Sequence, residues 1–462
     1  MKKTMLCLLL VLTLLLSACA QGAPDVPAPP DTPAEAPASG QLTVPQYPEM
    51  APYPDQMSFN NEETGEFDSE GYDAAYTAWR ESRRNQYSQP AGYADNLNTF
   101  FGSSIPAFLA CAQGDNAVCS PLNVYMALAL LAEVTGGESR RQILDLLNAE
   151  NTEALRIQAS HVWNAHYSAD GANTCVLANS VWLEEGMPYH ADTLKTLSDS
   201  YYASAFQGDL GSEEMDAMLR GWINEQTGGL LEEQAQNLHM DPSTLMALAS
   251  TIYYRAKWSS EFWEQGNTEG IFHSPAGEMP VTFMNQTQTY GPYFWGEDFG
   301  AVSLGLEDGS RMWLVLPDEG LAPDKILQSG HALNLILGDW ASTENQKSLR
   351  VNLSLPKFDV ASDAALDNAL KSLGITCVFE PLTADFTPML PEDDCRLDSV
   401  SHAARVAIDE EGVTAAAYTV MMMCGSAMPP QEEMDFILDR PFLFVITSRD
   451  NLPLFAGVVN TP

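Results

Sequence analysis

The order of periodicities downstream of residue 91 constrains this chain most. Helical spacing comes early, at Pro121–Leu147, where Leu122, Tyr125, Met126, Ala129, Leu130 and Ile143 share a stripe, and again at Glu213–Gln226. Strand-like runs follow: Thr174–Leu183, Leu245–Arg255, Met312–Leu316, Leu349–Phe358, Ser399–Ile408, Phe442–Thr447 and Leu454–Val459. Strand and helix do not alternate regularly, so a doubly wound parallel sheet is disfavoured. The pattern predicts an α+β fold with large, mostly antiparallel sheets. Gly and Pro are spread evenly across 91–462 with no second linker, which predicts one domain of about 370 residues.

Upstream the chain reads differently. Lys2 and Lys3 precede an apolar run, Leu6–Leu16, and then Leu16-Ser17-Ala18-Cys19. This resembles a bacterial lipobox, in which Cys19 becomes the acylated first residue after residues 1–18 are removed as a signal peptide. Residues 19–55 hold Ala23-Pro24, Pro27, Pro29-Pro30, Pro33 and Pro37 and read as a lipid anchor with a semi-rigid Pro/Ala stalk. Residues 56–90 are polar with aromatic punctuation, and predict a partly ordered segment with a helix near Tyr72–Tyr87. The expected location is the bacterial cell surface or exterior, tethered to a lipid bilayer.

Charge excludes some functions. With 22 basic and 62 acidic residues the net charge is −40, so the chain repels polyanions and is not expected to bind nucleic acid. Hydrophobic residues make up 45%, enough for a large core. The chain lacks the G-x-S-x-G, H-E-x-x-H, P-loop and G-x-G-x-x-G patterns. Cysteines are scattered, with no C-x-x-C and no His at ligand spacing, so no zinc is expected. His402 lies in an apolar run and reads as a hydrogen-bonded core residue, and Asp409-Glu410-Glu411 as a solvated turn. No catalytic residue, metal or cofactor is predicted.

The segment Gly412–Gln431 stands out because it carries no charge in a chain that is 18% charged. Pro429-Pro430 ends it. Taken as a strand, Val413, Ala415, Ala417, Thr419, Met421 and Met423 share one face, and Thr414, Ala416, Tyr418, Val420 and Met422 the other. A plain buried strand fits. So does a loop that is exposed in one state and a strand in another, where a charge would be buried unpaired.

Seven motifs in order resemble the serpin family over nearly all of 95–462. Asn116–Asn123 resembles the S-P-x-S lead-in to its central helix, and Leu177-Ala178-Asn179-Ser180-Val181-Trp182 its A-N strand. Trp222–Gly229, Ile252–Trp258 and Leu355-Pro356-Lys357-Phe358 resemble W-V-x-x-x-T-x-G, I-Y-F-K-G-x-W and L-P-K-F, and Arg440–Phe444 and Leu454–Asn460 the C-terminal strands.

The resemblance implies three β-sheets, about nine helices and an exposed reactive centre loop. It makes Glu410, Gly412, Val413, Thr414, Ala415, Ala416 and Ala417 the hinge of that loop. It places the scissile bond at Ser426-Ala427, with a register slip to Met423 or Cys424 as the alternative. It makes Ser120, Asn123, Ser250 and His402 the polar shutter beneath the main sheet. Asn123 and Ser250 look like a reciprocal swap of the residues usual there, and Val413 replaces the usual Thr or Ser. The implied partner is a serine protease, elastase-like or subtilisin-like given the small Ser426, with cysteine proteases also possible targets. The implied activity is irreversible inhibition by a monomer. A non-inhibitory serpin acting as a surface binding protein is the alternative.

Overall fold

The computed structural model describes residues 40–60, 64, 66–110, 114–391, 395–413 and 432–462. Among these residues eleven α-helices surround two hydrogen-bonded sheets. The main sheet runs, edge to edge, Gln41–Thr43, Ala203–Gly208, Thr174–Glu184, Met246–Lys257, Gly412–Val413, Ser401–Ile408 and Phe358–Ala365, with Ser168–Ala169 also paired to Thr174–Glu184. Its pairs are antiparallel except for Thr174–Glu184 with Ala203–Gly208.

Nine strands form the second sheet. The expected second and third sheets are continuous here. The nineteen-residue strand Gly277–Trp295 pairs along its first part with Thr268–Ser274, then with Gln346–Pro356, and at its end with Phe299–Gly305.

The helix Pro121–Val134 fills the space behind the main sheet. Every residue in it but Ala127 is buried, the pattern of a helix enclosed on all sides. Ser120 caps it, its hydroxyl accepting from the Asn123 amide at 3.3 Å, and Pro121 occupies the first turn, where a missing N–H costs nothing. The single helical stripe expected over Pro121–Leu147 is in fact two helices, Pro121–Val134 and Gly137–Leu146. The break falls at Gly136-Gly137, where Gly137 takes φ 49°. Helix Glu213–Gln226 covers the other face of the sheet, packing Met215, Leu219, Trp222 and Ile223 against Ala178, Trp182 and Phe206.

The body also starts earlier than the sequence suggests. Residues from Gly40 onward, assigned to a free stalk ending at 55, pack on the body: Gln41 and Thr43 pair with Phe206 and Ala205. Residues 56–90 contain the helix expected near Tyr72–Tyr87, which runs Ser69–Tyr87 with Trp79 buried against the body. Apolar side chains at Tyr47, Tyr53 and Trp79 supply burial that the segment's polar composition hid.

Candidate functional site

The site lies where Gly412–Val413 enters the main sheet. Gly412 and Val413 pair antiparallel with Lys257 and Ala256 on one side, and Val413 pairs with Ile408 on the other. Below that point no ladder pairing joins Met246–Arg255 to Ser401–Ala407 among the described residues. Two long strands are thus separated by a two-residue wedge at one end.

Burial alternates along Ser401–Ile408 and over Ile252–Ala256, with Thr251 and Lys257 buried as well. Ile252, Tyr254 and Ala256, and His402, Ala404, Val406 and Ile408, are buried on the core side, while Tyr253, Arg255, Ala403, Arg405 and Ala407 are half-buried. Val413 is buried with the first set, so the chain enters with its odd-numbered residues toward the core.

Gly412 is required by close approach. A Cβ there would lie 2.4 Å from the Ala256 carbonyl oxygen and 2.8 Å from the Lys257 Cα. Gly412→Ala is therefore expected to destabilise the uncleaved chain by roughly 1–3 kcal/mol. Urea unfolding of the intact protein measures this, and an unchanged midpoint would contradict it.

The turn before the wedge is fixed rather than freely solvated, a correction to the reading of Asp409-Glu410-Glu411. The Asp409 carboxylate accepts from the Glu411 and Gly412 amides at 2.9 and 3.1 Å. Its carbonyl accepts from the Trp258 indole at 2.8 Å, and the Glu411 carbonyl from the Trp258 amide at 3.0 Å. Lys357 Nζ lies 2.6 Å from Glu410 Oε1, which also accepts from the Asn267 amide. Burial alone would raise the Glu410 pKa, but the Lys357 and Asn267 contacts outweigh it and hold the carboxyl below its ordinary value. Both ends of the hinge Glu are thereby anchored.

Halfway down, the shutter residues meet. Asn123 Nδ2 donates to the Ser250 carbonyl at 3.1 Å. The Ser250 hydroxyl lies 2.6 Å from Asn123 Oδ1 and 2.9 Å from Asn179 Oδ1, and its one proton serves one of them at a time. Asn179 Nδ2 donates to the Tyr201 carbonyl at 2.8 Å. The Ser120 amide donates to His402 Nε2 at 2.9 Å. One helix start therefore holds both strand flanks, Ser250 through Asn123 and His402 through Ser120. The swapped Asn123 and Ser250 bond directly to each other, so the polar network survives the exchange.

Because Nε2 accepts, His402 is the neutral Nδ1–H tautomer, and burial pushes its pKa down to about 4. The folded value lies below the ordinary 6.5, so the stabilisation is full above pH 6.5 and is lost as pH falls toward 4. The unfolding midpoint should drop across that window, with His402 contributing at most about 1.4 kcal/mol per pH unit. His402→Gln keeps an acceptor without the titration and should flatten the slope. Parallel pH curves for the two proteins would contradict this.

Sequence reasoning named Ser120, Asn123, Ser250, His402, Glu410, Gly412 and Val413, and the structure brings these together at the wedge and the shutter. Thr414, Ala415, Ala416, Ala417, Ser426, Ala427 and Cys19 lie outside the described residues, as does Cys424. Roles for Asn179, Lys357 and Asn267 were missed. Asn179 and Lys357 sat inside quoted motifs without a partner, and only the fold supplies one. Among the described residues Cys175 and Cys377 carry free thiols.

The arrangement is a large sheet that Gly412–Val413 enters at one end, with a polar cluster joining the start of helix Pro121–Val134 to both flanking strands. Comparison with known proteins shows the family in which this architecture occurs. The family model described as Serpin (serine protease inhibitor) matches residues 96–462. Serpin-ZX of Arabidopsis thaliana is 29% identical over 372 residues, covering 76% of this chain and 93% of that protein. The leukocyte elastase inhibitor of Sus scrofa is 26% identical over 360 residues, covering 75% and 93%. Among solved structures, the thermophilic serpin tengpin in its native state superposes with a TM-score of 0.71 at 24% identity, covering 81% of this chain and 95% of that one. The chain belongs to the serpin family, most of whose members are protease inhibitors and not enzymes.

Proposed function

We propose that this chain is an irreversible suicide inhibitor of serine proteases, elastase-like or subtilisin-like in their preference. The observation that carries the reading is the wedge: Gly412–Val413 already pairs with both flanks of a sheet whose inner edges share no ladder below it among the described residues. Loop insertion is this family's known example of strand addition and of strain released by a cut.

Continuing the observed register sets out the inserted strand. Ala415 would lie between Tyr254 and Val406, Ala417 between Ile252 and Ala404, and Thr419 between Ser250 and His402, all on the core side. Tyr418 would lie on the opposite face, between Thr251 and Ala403. Met246–Lys257 offers positions for residues 412–423, so the bond at Ser426-Ala427 lies just beyond the far end. From Gly412 to Ser426 an extended strand spans about 46 Å at roughly 3.3 Å per residue.

In the mechanism, the protease serine attacks the Ser426 carbonyl, the amine of Ala427 departs, and an acyl-enzyme forms. The freed arm inserts and gains ladder hydrogen bonds on both edges. The acylated protease is carried to the opposite end of the sheet, and its catalytic geometry is spoiled before water deacylates it. The energy comes from the sheet, so the reaction calls on no cofactor. The peptide Ala427–Pro462 stays bound, because Phe442–Thr447 and Pro453–Val459 are interior strands of the second sheet, paired on both sides. Acylation of Cys19 would display the inhibitor at a bacterial membrane surface, and Cys19→Ser should release it.

The test is incubation with an elastase-like protease, followed by denaturing gels and mass spectrometry. A complex that survives denaturation, with the mass of inhibitor plus protease less a released peptide Ala427–Pro462, is the expected result. Clean loop cleavage without complex, across elastase-, subtilisin- and trypsin-like enzymes, would instead favour a non-inhibitory surface protein.

A further inference from the structure

The family match begins at residue 96, yet residues 40–90 hold a chain of specific contacts with the body. The segment starts on the main sheet. Gln41 and Thr43 extend its edge by pairing with Ala203–Gly208. Tyr47 then sits among Trp163, Tyr167 and Tyr202, with ring centroids 5.3, 5.4 and 5.9 Å away.

The next grip is Asp170, whose side chain is fully buried in the turn that leads into Thr174–Glu184. Its Oδ1 accepts from the Ala172 and Asn173 amides at 3.0 and 2.8 Å. Its Oδ2 accepts from the Trp79 indole at 2.9 Å, and its carbonyl accepts from the Tyr53 amide at 2.7 Å. Arg83 stands 3.9 Å from the same carboxylate. One carboxylate oxygen is thus committed to the turn and the other to helix Ser69–Tyr87.

The far end of that helix holds the second sheet instead. Arg83 donates to the Asp308 carbonyl at 3.5 Å, in the turn between Phe299–Gly305 and Arg311–Pro317. Arg449, in the turn between Phe442–Thr447 and Pro453–Val459, donates to the Tyr87 carbonyl at 3.4 Å and places its guanidinium 4.2 Å from the Tyr87 ring centre.

We infer that residues 40–90 are a clamp that ties one half of the main sheet to the second sheet and so slows the widening that strand insertion requires. This rests on the trap proposed above, because it presupposes that the sheet widens. For residues beyond Val413 to enter, the half made of Ala203–Gly208, Thr174–Glu184 and Met246–Lys257 must stand about two strand spacings, some 9–10 Å, from Ser401–Ile408 along its whole length. The shutter resists this from inside, through Asn123 and Ser120. The clamp resists it from outside, because one continuous segment grips the moving half at Phe206 and Asp170 and the second sheet at Asp308 and Arg449. Simple packing of an extra segment would stabilise the native and inserted forms alike. A clamp stabilises the native form selectively and therefore sets the rate of spontaneous insertion.

The experiment uses the full chain and two variants. Trp79→Ala with Arg83→Gln releases the Asp170 grip, and Trp79→Phe removes only the indole donor while keeping the packing. Each protein is held uncut below its unfolding temperature. Two quantities are followed: the fraction still able to form a denaturant-resistant protease complex, and the fraction whose loop resists proteolysis at unchanged mass. Trp79→Phe should lose inhibitory protein up to about tenfold faster than the natural chain, the effect of one buried hydrogen bond in the barrier, and the double variant, which also loses the ring and the Arg83 contacts, faster still. Loss at the natural rate in both variants, with the trap itself working, would overturn the clamp. If the natural chain forms no complex and gains no heat resistance on loop cleavage, the trap reading fails and takes the clamp with it.

Discussion

Ala415→Arg is expected to convert the chain from inhibitor to substrate. In the continued register residue 415 faces the core between Tyr254 and Val406, both buried. Inserting a guanidinium there buries an unpaired charge at an effective cost of several kcal/mol. Acylation by the protease is untouched, because the bait bond is eleven residues away. Insertion, which races deacylation, slows by two orders of magnitude or more for about 3 kcal/mol of barrier. The protease then cuts the loop and departs intact. Titration of protease against inhibitor should show the number of inhibitor molecules consumed per protease rising from near one to tens. Ala416→Arg is the control: its face carries the half-buried Tyr253 and Arg405, so the rise should be smaller. Equal effects at 415 and 416 would contradict the register.

The second large effect is expected at the bait. A small Ser426 side chain suits a shallow primary pocket and leaves a trypsin-like pocket, built around a buried carboxylate, without its partner. Ser426→Arg should raise the rate of complex formation with a trypsin-like protease by at least about a hundredfold and abolish that with an elastase-like one. The gain and the loss must occur together. A gain for the trypsin-like enzyme with elastase inhibition retained would move the natural bond upstream to Met423 or Cys424.

The parts of this molecule legible in its sequence are those written in local pattern. The uncharged run after Glu411 separated two strand faces, Val413, Ala415 and Ala417 on one and Thr414, Ala416 and Tyr418 on the other, without saying which meets the core, and the structure buries Val413. Gly412 was legible as a hinge residue but not for its reason, the approach of the Ala256 carbonyl across the sheet. The shutter was readable only through the family's motifs, since Asn123 and Ser250 stand 127 residues apart and nothing local joins them. Two features escaped. The Gly136-Gly137 break lies within a stripe whose apolar spacing runs through it. The docking of residues 40–90 depends on Trp79 meeting Asp170, 91 residues on, and a single buried indole in a polar segment carries no periodicity.

The central claim is that the uncut main sheet is one strand short of its most stable form. Thermal unfolding of the intact chain, compared with the same chain cut once in Gly412–Gln431, tests it most directly. A cut in an ordinary loop removes a constraint and lowers the midpoint. Here the freed arm should insert as a central strand, and its ladder bonds and buried side chains should raise the midpoint by on the order of 10 °C or more. A midpoint unchanged or lowered by the cut would contradict the account.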